Sequence, residues 1–198
     1  MSLDLVHDIQ AVYRKIIDAI SRPGLIRNIK DQADKVDMEI GCLNSTVVLA
    51  LMLFDTEVTF KVISEREAEV TRLINQLTYA KTTDIERADF ILVLKDAKPE
   101  DFERAIRAAY PGDLMDPHKS ATIIFEADLL SREQDVILTG PGIEEENYIK
   151  IKTTHNWIEL RVEKNVEYPL GIDFIFIDPE ANLMCIPRTT RIMKQEII

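Results

Sequence analysis

The residues best suited to chemistry lie near the end of the chain. Tyr168-Pro169-Leu170-Gly171-Ile172-Asp173 opens an apolar run, and Ile186-Pro187-Arg188-Thr189-Thr190-Arg191 closes the next. Between them, Asp178-Pro179-Glu180-Ala181-Asn182 is a turn sequence, so Ile172 to Ile177 and Leu183 to Ile186 are predicted to pair as a hairpin. That pairing brings Asp173 and Arg188 to its open end, with Gly171 and the hydroxyls of Thr189 and Thr190 beside them. One reading is an ion pair that locks the end of the chain to the sheet. The other is an anion or subunit-docking site built on the planar fork of Arg188.

Leu138-Thr139-Gly140-Pro141-Gly142-Ile143 follows a predicted strand, where a phosphate-binding glycine loop would stand. It lacks the third glycine of GxGxxG and the GK[ST] of a P-loop. Gly140 and Gly142 therefore read either as a phosphate cradle or as a tight turn at which two backbones approach. The other reactive types carry less. His7, His118 and His155 have no metal-ligand spacing, so no metal is expected, and surface or capping roles are expected for His7 and His155. There is no GxSxG elbow. Cys42 (IGCLN) and Cys185 (LMCIP) are isolated in apolar settings and read as small buried hydrophobes.

The elements that must position these residues follow from period and punctuation. Leu5, Ile9, Val12, Tyr13, Ile16, Ile17 and Ile20 mark the apolar face of a first helix, stopped by Ser21-Arg22-Pro23-Gly24. Leu25 to Ile29 alternates like a short strand. A second helix through Val47 to Phe54, capped by Asn44 or Ser45, is apolar all round and expected to be buried. Glu57 to Ile63 reads as a strand, and Ser64 with Glu67 as a capping box for a helix to about Leu77. Asp89 to Leu94 is a buried strand, and Pro99 opens a helix carrying Phe102, Ile106 and Ala109. Ala121 to Glu126 and Asp135 to Thr139 are strands, and His155 to Lys164 a helix. The whole, 1–198, is expected to be a single three-layer α/β domain with a mixed central sheet.

Composition narrows the partners. The 198 residues are 46 % hydrophobic and 30 % charged, with a net charge of −11. Such a field disfavours nucleic acid and would repel any small anion not met by a local cluster of arginines or backbone N–H groups. The first residues lack a basic leader followed by an apolar run, and the longest apolar stretch, Val47 to Phe54, is too short to span a bilayer. The expectation is a cytoplasmic protein with no membrane contact.

Several segments, in order, resemble the PhnH family, subunits of the bacterial carbon–phosphorus lyase system. PLGIDFIFID and LMCIPRTTRI are similar to its C-terminal signature, and LTGPGI to its glycine turn. Tyr13-Arg14 to Pro23-Gly24-Leu25-Ile26 resembles its first helix, Asn44 to Asp55-Thr56 its second, and Ala121-Thr122-Ile123-Ile124 the strand before the turn. The middle, roughly 30–41 and 65–110, carries no such match. The resemblance implies a fold like the large domain of PLP-dependent transferases, without PLP. Lys81, Lys95, Lys119 and Lys152 have no Schiff-base context. It further implies PhnG-, PhnI- and PhnJ-type partners and a homodimer when isolated. With those partners a phosphonate is attached to the ribose C1 of ATP, adenine is released, and an iron–sulfur radical subunit later cleaves the carbon–phosphorus bond. Two isolated cysteines cannot hold such a cluster. The resemblance, together with the lack of a recognisable catalytic constellation, makes this chain an expected accessory subunit, with no cofactor. The competing expectations are a lone transferase or hydrolase around Asp173, Arg188 and Thr189, and a free-standing homodimeric binder of a small anion.

Overall fold

The structure, a computed structural model, describes residues 3–37 and 41–194. The first helix, α1 (His7–Ser21), ends where Pro23 and Gly24 were expected to stop it, and the chain continues into β1 (Arg27–Asn28) and a single turn, α2 (Lys30–Ala33). Then come α3 (Asn44–Leu53), β2 (Thr59–Ile63), α4 (Glu67–Thr78), β3 (Lys81–Thr82), β4 (Phe90–Val93), α5 (Pro99–Ala108) and β5 (Thr122–Glu126). A long strand, β6 (Leu129–Thr139), folds back as β7 (Asn147–Lys152). The chain closes with α6 (Trp157–Lys164), β8 (Asp173–Ile177), β9 (Asn182–Ile186) and β10 (Arg191–Lys194).

Seven strands form one mixed sheet in the order β1-β9-β8-β5-β4-β2-β3. The five from β8 to β3 are parallel, and β9 and β1 add antiparallel at the other end. The expected hairpin is β8–β9, with Phe174 opposite Ile186 and Ile177 opposite Leu183. A second, antiparallel sheet, β10-β6-β7, packs on one face of the first.

Both faces of the large sheet are covered, as expected of strands with apolar residues on both sides. One face carries α1, α3 and α4 through Val12, Ile16, Val47, Leu49, Val70 and Ile74. The other carries α5, α6 and the small sheet through Phe102, Ile106, Trp157, Leu138 and Ile149. The arrangement is α/β with a mixed sheet and is compatible with three layers. Val47 to Ala50 and Ile91 to Val93 are fully buried, as their all-apolar sequences predict, while Leu51, Met52 and Leu53 reach partly into solvent.

Some expectations differ from the structure. Ser64 does not cap α4: its hydroxyl accepts the Arg66 N–H at 2.9 Å and donates to Asp96, and Glu67 pairs with Lys61 instead. The shorter serine turn and the lysine of the adjacent strand outcompete the reciprocal box. His155 is neither surface nor cap: it lies buried, edge-on to Phe102 and Phe125 at 4.7 and 5.5 Å. Cys185 is buried as expected, but Cys42 is half-exposed. On α1 only part of the apolar stripe is covered. Val12 and Ile16 are buried, whereas Tyr13, Ile17 and Ile20 on the helix, and Leu5 just ahead of it, remain exposed.

Candidate docking site at the amino edge of the sheet

Asp173 is the first residue of β8 and lies beside Thr122 of β5, which in turn lies beside Phe90 of β4. All three begin parallel strands, so Asp173 marks the amino edge of the sheet. β9 runs back past this edge, and Pro187 ends it. The Arg188 N–H then donates to Asp173 Oδ1 at 2.6 Å, and the Thr190 N–H donates to the Pro187 carbonyl at 2.9 Å, closing a tight turn. The guanidinium of Arg188 points elsewhere. Its Nη1 donates to the Pro117 carbonyl and to Ser120 Oγ, and sits 4.0 Å from Asp173 Oδ2. Asp173 thus orients the backbone of Arg188 more than its fork, while the fork fastens the 117–120 turn. Gly171 joins the same edge by donating its N–H to the Pro111 carbonyl at 2.9 Å.

Arg161 of α6 lies beneath this turn, and the sequence reading did not single it out. It is fully buried. Nη1 donates to the Thr190 carbonyl at 3.2 Å and Nη2 to the Pro187 carbonyl at 2.6 Å. Among the described residues its Nε and the neighbouring Thr190 Oγ1 have no hydrogen-bond partner. Burial lowers the guanidinium to about 10, a shift that the charge of Asp173 opposes. An arginine in a helix normally reads as solvated, and only the packing of α6, against α5 and β10, turns this one inward to the Pro187–Thr190 turn.

The glycine turn meets the same structure from the other side. A Cβ on Gly140 would stand 3.0 Å from the Thr189 carbonyl, and one on Gly142 only 2.2 Å from the Ser21 carbonyl at the end of α1. Gly142 also has φ +83°, which side-chain-bearing residues avoid. The close approach of backbones is therefore real: it joins the end of α1, the end of β6 and the Pro187–Thr190 turn. The Asn147 side chain adds a bond to the Pro23 carbonyl at 2.8 Å.

Beside Asp173 opens an apolar pocket of about 270 Å³, lined by Ile16, Ile20, Leu53, Phe90 and Pro187, with Asp173 its one charged side chain. Tyr13, Ile17 and Ile20, each roughly half-exposed, extend α1 as an apolar surface of the protein. The edge can bury apolar surface around one carboxylate. Its arginines already serve backbone carbonyls, so it is poorly arranged as an open anion cradle. Open α/β sheets more often bind ligands at the carboxyl edge. There Glu126 is buried and accepts from the Leu43 and Lys95 N–H groups and the Thr46 hydroxyl, at 2.8, 3.2 and 2.5 Å. Burial pushes its carboxyl pKa up, and these bonds pull it back. Asp178 accepts four hydrogen bonds from its own turn and from Leu130. Both carboxylates are occupied in holding the fold. Among the described residues no three His, Cys, Asp or Glu side chains gather as a metal site.

The model of the PhnH family, "Bacterial phosphonate metabolism protein (PhnH)", matches residues 2–193. The alpha-D-ribose 1-methylphosphonate 5-triphosphate synthase subunit PhnH of Rhizobium meliloti (strain 1021) is 27 % identical over 97 % of this chain and 94 % of its own length. A protein named as a C-P lyase subunit, HtxG of Stutzerimonas stutzeri, is 26 % identical over 92 % of this chain and 85 % of its own. The chain belongs to the PhnH family of bacterial phosphonate metabolism proteins.

Proposed function

We propose that the chain is a subunit of the carbon–phosphorus lyase system, supporting attachment of a phosphonate to the ribose C1 of ATP with release of adenine. The observation that carries this reading is the family match over residues 2–193, joined by a near-full-length relative named as a subunit of that synthase. In this reading 1–198 is one domain with a PLP-transferase-like fold but no PLP. It is accessory, works in the cytoplasm with PhnG-, PhnI- and PhnJ-type partners, and forms a homodimer when isolated.

The amino edge serves as the docking surface for a partner subunit. Arg188 and Arg161 spend their hydrogen bonds on backbone carbonyls and on Ser120, which leaves the apolar pocket and the exposed face of α1 as the surface that gains most from being covered.

Co-expression with the three partner types, followed by size measurement, should give one assembly containing this chain. ATP plus methylphosphonate should turn over only in that assembly. Turnover by the chain alone would overturn the accessory role in favour of a lone transferase. Failure to co-purify would favour a free-standing homodimeric binder of a small anion.

A further inference from the structure

A second groove lies between α1 and β1, with a volume of about 380 Å³, lined by Arg14, Lys15, Asp18, Arg27 and Asn28. Arg14, Asp18 and Arg22 fall four residues apart on α1 and so share a face. Asp18 is the only carboxylate in the lining, and both its oxygens are taken. Arg22 Nη2 donates to Oδ1, and Arg27 donates through Nε and Nη2 to Oδ2. Lys15 is held by a neutral partner, the buried Gln32, whose Oε1 accepts from Nζ at 3.1 Å. Arg14 has no carboxylate partner among the described residues. Four cations thus surround one carboxylate in a chain whose net charge is −11.

We propose that this groove binds a small phosphorus oxyanion, with Arg14, Lys15 and Arg27 as its donors and Asp18 as the residue that positions Arg22 and Arg27. The arginine fork matches tetrahedral oxyanions, and bonds made to charged groups are the strong ones. Holding two of the forks on Asp18 before binding lowers the cost of ordering them. Charge also selects a small ligand over an acidic protein surface. A compact anion senses mainly the cations within a screening length of roughly 8–10 Å, whereas a protein footprint would also meet the negative field beyond them. The oligophosphate chain of a nucleotide and a phosphonate dianion share this chemistry. The proposal rests on the groove alone, so binding by the isolated chain tests it whether or not the chain assembles with partners.

The test is calorimetric titration of the full chain with sodium tripolyphosphate and, separately, methylphosphonate, at constant ionic strength. Saturable binding of at least one anion is expected, weakened about tenfold or more in Arg14→Gln/Lys15→Gln. It should be unchanged in Lys81→Gln/Arg132→Gln, whose positions lie on β3 and the exposed part of β6. Arg27→Lys keeps the charge and loses the fork, so it should bind more weakly than the native chain; it decides the matter if the double variant does not fold. Binding of tripolyphosphate only assigns the groove to a polyphosphate chain, binding of methylphosphonate only to a phosphonate, and mutual competition to their shared chemistry. No saturable heat with either anion, or heat insensitive to the groove variants, overturns the proposal.

Discussion

Two arginines at the amino edge do different work. Arg188 is partly exposed and ties two turns together, so Arg188→Ala is expected to cost about 1–3 kcal/mol of stability if it is only a pin. Retained assembly in that destabilised variant would remove this residue from the docking site. Lost assembly with a little-changed melting temperature would place it there. Arg161 is a stronger structural case, because its loss removes the guanidinium donor of the buried Thr190 carbonyl and one of the two donors on the Pro187 carbonyl. Arg161→Met should lose about 2–4 kcal/mol in urea denaturation, and near-neutral behaviour would show that the turn keeps itself closed. His155 adds a pH dependence. Burial holds its pKa below the ordinary imidazole value, although the carbonyl of Ala97 and the charge of Asp128 pull it upward. Folding therefore favours the neutral ring. That stability is present above the unfolded value of about 6.5 and is lost as pH falls through the depressed folded value. Between neutral pH and about pH 5, the native chain should lose stability more steeply than His155→Phe; equal slopes would contradict the assignment.

At the scale of elements, the amino edge depends on backbone contact between segments far apart in sequence. The glycine turn is the joint: a methyl group at Gly142 would overlap the Ser21 carbonyl and would sit on a positive φ. Gly142→Ala should therefore cost about 1–3 kcal/mol, while Pro141→Ala, at an exposed position of the same turn, should stay within about 0.5 kcal/mol. Equal stabilities in chemical denaturation would mean that α1 can move away from the turn at little cost. The exposed apolar side of α1 belongs to the same scale, since Tyr13, Ile17 and Ile20 line up on a helix whose opposite face is already packed.

For the whole molecule, the proposed homodimer and the proposed lack of PLP binding are both measurable on the isolated chain. Light scattering at micromolar concentration should give twice the mass of 22.7 kDa, and a strictly monomeric mass would count against self-association. Incubation with PLP followed by borohydride should leave no lysine adduct, and a stoichiometric adduct at one lysine would overturn that expectation. Among the described residues no helix is long and apolar enough to cross a membrane.

Much of the secondary structure was legible in the sequence, because period and punctuation are local. The three- and four-residue spacing of α1 and its Pro-Gly stop, the opening of α5 at Pro99, the buried run of β4 and the β8–β9 hairpin all follow from neighbours along the chain. The hairpin also placed Asp173 near Arg188, and the structure confirms that proximity through the backbone bond. The strands β7 and β10 and the single turn α2 were not foreseen. β7 alternates over Ile149-Lys150-Ile151-Lys152, a local signal, whereas β10 is only four residues long and owes its place to an edge of β6. Only the tertiary structure decided which side of α1 would be covered, that Ser64 and Glu67 would bond elsewhere, and that the fork of Arg188 would turn inward. It alone brought Arg161 under the last turn and carried Gly140 and Gly142 against Thr189 and Ser21. The physical reason is the same throughout. Helix and strand periods are set within a few residues, but burial, partner choice and close backbone approach depend on segments that lie further off, 29 residues for Arg161 and Thr190, 71 for Arg188 and Pro117, and more than a hundred for Gly142 and Ser21.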